Sequence, residues 1–223
     1  MRTIDDGAVG RPRNQTARRR QIVEAASRVI AARGLAGLRI KDLADEVGLS
    51  AGSVSYYFPD LDKLLLEVHA DAVDRYYWLR RTAAAQADDP RDQLLRLVEQ
   101  GIPDDAGDPM GLVLYELHLN GSRDASHAVL MSELFDREVS LYAAVLQDGV
   151  ARGLFPPIGD LRAVATNAVV LEDGYGLHLV GRNQALSPQE ARRLMRAYLG
   201  SVTGCDLESR GPGARSAQTD LGR

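Results

Sequence analysis

Over residues 40–58 the chain ends one helix and starts another within three residues, and few folds accommodate that. A short helix fits Ile40 to Val47, with Leu43, Ala44 and Val47 on its inner face. Gly48-Leu49-Ser50 interrupts it. Glycine takes left-handed backbone without a steric penalty, and the Ser50 hydroxyl can accept the unpaired amides of a following first turn. A second short helix fits residues 51–58, anchored inward by Val54 and Phe58. Two such helices need a buttress. Residues 16–33 supply one, because Ile22, Ala25, Ala26, Val29 and Ile30 recur at helical spacing and Gly34 stops the run.

The same period continues to residue 203. Pro59-Asp60 ends the second short helix, and Asp60 can cap a long helix from Leu61 to about Ala85. Residues 91–101, 109–119, 124–152, 160–181 and 188–203 read as further helices. Asp88-Asp89-Pro90, the loop 103–108, Phe155-Pro156-Pro157 and Ser187-Pro188 separate them. No period-two strand pattern persists. The expected fold is all-α with about nine helices: a three-helix helix-turn-helix head, then a larger helical domain. The expected organisation is a flexible arm at 1–14, the head at 15–60, the second domain at 61–203 and a disordered tail at 204–223.

Composition narrows the function. Residues 1–63 hold 11 Lys+Arg against 8 Asp+Glu, whereas the remainder holds 16 against 23. Both lysines, Lys41 and Lys63, lie in the first segment. A mildly basic head on an acidic body suits local phosphate binding without general adhesion to nucleic acid. The single cysteine, Cys205, rules out an internal disulfide and a cysteine-based zinc site. No apolar run reaches signal-peptide or membrane-spanning length, so the expected location is the cytoplasm, with no membrane partner.

In a helix-turn-helix the second helix enters the major groove. Here Ala51, Gly52 and Ser53 are small enough to let the backbone approach DNA. Ser50, Ser53, Ser55, Tyr56 and Tyr57 offer hydroxyls to phosphates or base edges, and Arg39 and Lys41 suit backbone contacts. The sequence resembles the TetR family of bacterial regulators. The likeness runs from Arg20-Gln21-Ile22-Val23-Glu24-Ala25-Ala26 through Ile40-Lys41-Asp42-Leu43-Ala44 and Ala51-Gly52-Ser53-Val54-Ser55-Tyr56-Tyr57-Phe58 to Leu64-Leu65. Ser55 followed by an aromatic pair is similar to the branch of choline-responsive regulators of betaine synthesis. Where the family tends to carry a lysine this chain has Leu61, and Lys63 is the expected substitute for its phosphate contact.

The resemblance implies a homodimer on a double-stranded DNA operator, with the last two long helices pairing and a small-molecule effector bound in the second domain. Ala163, Ala165, Ala168, Gly174 and Gly176 would allow close helix approach. Candidate effector-lining residues are Trp78, Tyr115, Glu116, Phe135, Tyr142, Glu172, Asp173 and Tyr175, with Tyr76, Tyr77 and His118 in the wider set. Carboxylates beside aromatic rings suit a cation, since both attract positive charge. Residues 76–78 cannot all face one cavity, because successive helical positions diverge. Repression is the expected activity; activation or multi-target regulation on the same fold is the alternative. A small helical enzyme is the rival class. His69, His118, His127 and His178 show no metal-ligand spacing, and neither a phosphate-cradling glycine loop nor a nucleophile elbow occurs, so no catalytic residue, metal or cofactor is expected.

Overall fold

The computed structural model describes the backbone of residues 10–209, and side chains from residue 15. Among the described residues there are nine α-helices and no strand. They are α1 (Gly10–Arg33), α2 (Ile40–Val47), α3 (Ala51–Tyr57), α4 (Leu61–Ala85), α5 (Pro90–Gly101), α6 (Pro109–His118), α7 (Ala125–Ala151), α8 (Leu161–Val180) and α9 (Pro188–Thr203). Short 3-10 turns follow α1 at Leu35–Gly37 and α6 at Leu119–Ser122.

The ends obey local chemistry. Gly48 closes α2 in left-handed backbone at φ 66°. The Ser50 hydroxyl accepts the Ser53 amide at 3.1 Å. Asp89, Asp108, Asp160 and Ser187 cap α5, α6, α8 and α9, with proline opening three of those four. Two expectations are corrected. The first helix starts at Gly10 rather than residue 16, because Pro12 falls in the first turn, where the missing N–H has no intrahelical partner. The chain after Thr203 does not leave the fold at once: Leu207 is buried in the core and Cys205 packs beside it. The expected arm over 1–9 and tail over 210–223 lie outside the described residues.

The helices form two compact units, residues up to 75 with 107–132, and residues 76–106 with 133 onward. The expected boundary at residue 60 therefore falls inside the first unit, and α4 and α7 each belong to both. In the first unit, Ile22, Ala25, Ala26, Val29 and Ile30 of α1 are buried together with Leu43, Val54, Phe58, Leu64 and Leu117. In the second, Leu94, Leu97, Val98, Val139, Leu146, Ala168, Val169, Met195 and Leu199 form the core. Each fully buried Val, Leu, Ile, Phe or Met side chain among them contributes roughly 1.5–3 kcal/mol relative to exposure.

Candidate DNA-binding face and candidate effector site

In the first unit, α3 follows α2 after a three-residue turn, its inner side fixed by buried Val54 and Phe58. Its other side is open. Arg39, Lys41, Ser50, Ala51, Gly52, Ser55, Tyr56 and Lys63 are exposed, and Ser53 and Tyr57 are half-buried. Tyr56 is 70% exposed, and the Tyr57 ring meets it edge-on at 5.3 Å between centroids. The Ser50 and Ser53 hydroxyls share a 2.9 Å hydrogen bond, so both are oriented before any ligand arrives. Arg19 holds the helix end: it donates to the Tyr57 carbonyl at 2.9 Å, stacks over Phe58 at 4.3 Å and pairs with Glu67 of α4.

In the same unit three histidines meet, a cluster that their spacing in the sequence conceals. His69 of α4 and His127 of α7 face one another through a 2.9 Å Nδ1–Nδ1 hydrogen bond, and the His118 ring of α6 lies 5.3 Å from that of His69. Burial, then the neighbouring imidazoles, push His69 down to about 3; burial pushes His118 down to about 4. Neither the His69 nor the His118 Nε2 has a hydrogen-bond partner among the described residues. No group of three or more His, Cys, Asp or Glu among those residues is arranged to hold a metal ion.

The candidate effector residues do not all gather. Tyr115 and Glu116 sit in the first unit, where a Glu116 carboxylate oxygen accepts the Leu35 amide and borders a groove of about 850 Å³ with Asp62 and Asp124. Trp78 is exposed, with Arg81 over its ring. Phe135 and Tyr175 are half-buried against the second core, and Asp173 is exposed. Tyr142 and Glu172 do meet, around a residue that the sequence reading passed over, Arg80.

Arg80 of α4 is 1% exposed, and its guanidinium is enclosed on several sides. It donates to Glu138 of α7 at 2.5 Å and to Glu172 of α8 at 2.6 Å. Tyr76 and Tyr142 place their rings 5.3 and 5.6 Å away. Longer bonds run to the Tyr76 hydroxyl at 3.1 Å, and to the Leu97 carbonyl and Tyr142 hydroxyl at 3.4 Å. Tyr142 donates to Glu172 at 2.5 Å. Gly101 makes room, because a β-carbon there would collide with the Glu172 carboxylate. Two carboxylates face one guanidinium, so Arg80 balances one of the two charges. Burial, opposed by Arg80 and aided by the Glu172 charge, pushes Glu138 up to about 8. Burial also raises Glu172, against the pull of Arg80 and Tyr142. The Arg80 Nε finds no acceptor among the described residues, which costs on the order of 1–3 kcal/mol.

A family model for bacterial regulatory proteins of the tetR family matches residues 22–68, and one for the C-terminal part of BetI-type transcriptional repressors matches residues 90–204. The chain belongs to the tetR family. It is thus a helix-turn-helix, DNA-binding transcriptional regulator, and α2 and α3 both lie within the residues that the tetR family model matches. This TetR regulator is 36% identical over 94 residues to the regulator BetI of Stenotrophomonas maltophilia, covering 39% of this chain and 45% of that one. It is 27% identical over 187 residues to BetI of Agrobacterium fabrum, covering 81% and 85%. To the repressor KstR2 of Mycolicibacterium smegmatis it is 24% identical over 153 residues, covering 69% and 75%. Among solved structures, a transcriptional regulator from Saccharomonospora viridis in complex with choline superposes with a TM-score of 0.76 at 26% identity, over 82% of this chain and 96% of that one. A TetR-family regulator from Rhodococcus sp. gives a TM-score of 0.69 at 25% identity, over 84% and 99%. No helix among the described residues is long and apolar enough to cross a membrane.

Proposed function

We propose that this TetR regulator is a cytoplasmic, homodimeric repressor that a small cationic effector releases from a palindromic operator, and that it acts by binding rather than by catalysis. One observation carries the effector class: a buried enclosure of two carboxylates and two tyrosine rings around a positive charge. The choline bound by the Saccharomonospora regulator supports the same class. The dimer reading is supported by α8. Ala165, Ala168 and Gly176 turn into their own unit, whereas Val170, Gly174 and Leu177 form an outward stripe with both large side chains more than half exposed. A two-fold protein needs two half-sites, with recognition helices about 34 Å apart to reach successive major grooves on one DNA face.

Release requires a change in the spacing of the two heads. Helix α4 is the element suited to carry it, since its first turns lie in the head unit and Arg80 lies near its other end. The effector must favour the DNA-incompetent state, and bound DNA then weakens effector binding by the same factor.

The operator contact is tested at Tyr57 with Ser53, Ser55 and Tyr56 intact. Tyr57→Ala should weaken binding to the operator by about 1–3 kcal/mol with an unchanged melting temperature. The wild-type footprint should be symmetric. Unchanged affinity, or a footprint on one half-site, would remove α3 from the groove or the second copy from the complex.

A further inference from the structure

The Arg80 enclosure has the parts of a recognition site for an organic cation and already contains one. Arginine is a poor final occupant. Its bonds to Glu138, Glu172 and the Tyr76 hydroxyl are of ordinary length or shorter, but those to Leu97 and Tyr142 stretch to 3.4 Å and Nε is unpaired. Glu138 and Glu172 nevertheless cannot be left bare, because buried carboxylates without a counter-charge are strongly disfavoured. We propose that Arg80 is a built-in stand-in for the effector: an ammonium cation enters between Tyr76 and Tyr142, takes over Glu138 and Glu172, and displaces the guanidinium. This inference rests on the cationic-effector reading above and supplies its regulation.

The consequence for the fold is specific. Arg80 links α4 to α5 through the Leu97 carbonyl, to α7 through Glu138 and to α8 through Glu172, beside the Tyr76 hydroxyl on the Gly101 carbonyl and Arg137 over the Tyr77 ring. Expelling its side chain removes its three links at once, including the one described link from α4 to α8. Without a cation the latch is closed and α4 is held; with one, the cage stays neutralised while α4 is freed.

The test uses the full chain and choline chloride as probe, read by calorimetry in the absence of DNA. A lysine cannot reach both carboxylates with a planar fork, so it competes less well for the cage. Choline should bind Arg80→Lys about tenfold more tightly than the wild type. Equal or weaker binding would overturn the stand-in role. Arg80→Ala, which empties the cage, should show a saturable rise in melting temperature with methylguanidinium chloride that the wild type lacks. If that variant folds only when methylguanidinium is added, the result also supports the proposal; no rescue and no selective rise would overturn it. Operator release is measured separately. Choline that binds as stated yet leaves DNA bound would refute the effector reading and keep the cage. Choline that releases DNA but binds both proteins alike would keep the effector reading and refute the cage.

Discussion

Arg80→Met is expected to lower stability by about 3–5 kcal/mol, the usual result of removing one partner from a buried ion pair. Methionine fills much of the same volume, so the loss is electrostatic rather than a cavity effect. Glu138 and Glu172 then face each other and the Tyr142 hydroxyl with no guanidinium between them. Against a total stability of roughly 5–15 kcal/mol this is a large fraction, and in a chain of this size it corresponds to a fall in melting temperature of about 6–20 °C. The protein concentration must be held constant, since a dimer's melting point depends on it. Replacing all three groups by apolar side chains, Arg80→Met with Glu138→Leu and Glu172→Met, should recover most of the loss, because no charge then needs a partner. A single variant as stable as the wild type would mean that the cluster is open to water.

The second large effect is acid sensitivity of the histidine cluster. In the unfolded chain an imidazole protonates near 6.5, whereas in the folded chain His69 does so only at about 3 and His118 at about 4. Between those values the unfolded chain binds more protons. Stability from this source is therefore complete above about pH 7 and declines as pH falls through 6.5. From His69 alone the decline should reach about 2–3 kcal/mol at pH 4.5. Glu138 acts in the opposite sense, since its raised value favours the folded state in acid and costs stability as pH climbs towards 8. The comparison is thus made against His69→Leu, in which Glu138 is unchanged. Urea unfolding at pH 7.5 and 4.5 should show a loss larger by about 2–3 kcal/mol in the wild type than in that variant. Equal losses would mean that the imidazoles take up protons without leaving their contacts.

Much of this architecture was legible from spacing alone. The bounds of α2, α4 and α9 match the sequence reading to the residue, because glycine, proline and capping side chains mark those ends and act locally. The outer face of α3 was legible for the same reason, once Val54 and Phe58 had fixed the inner one. The histidine cluster was not. Positions 69, 118 and 127 lie on three helices, and nothing in a single sequence reports their convergence. Leu207 was hidden by its neighbours, a lone apolar anchor in a run of glycine, serine and acid residues.

The Arg80 cage lies between these cases, since its signal was present. Leu64, Val68, Ala72, Tyr76, Arg80 and Ala84 follow one another at intervals of four, which puts an arginine on the buried stripe of α4. Glu138 stands likewise between Leu134 and Tyr142, and Glu172 between Ala168 and Gly176. One arginine and two glutamates at core positions of three helices must meet or be destabilising, which is a stronger indication than aromatic residues beside acids. Choosing acids by their nearness to aromatics in sequence found Glu172 and missed both Arg80 and Glu138.

The central claim is that a positive charge, recognised in the second unit, controls the head. It is tested most directly by fluorescence anisotropy of the wild-type protein on DNA flanking its own gene, titrated with choline and with 3,3-dimethyl-1-butanol, which has the same shape without the charge. Choline should release the DNA in a saturable manner and the neutral alcohol should not. Release by both compounds at similar concentrations, or by the alcohol alone, would contradict the account.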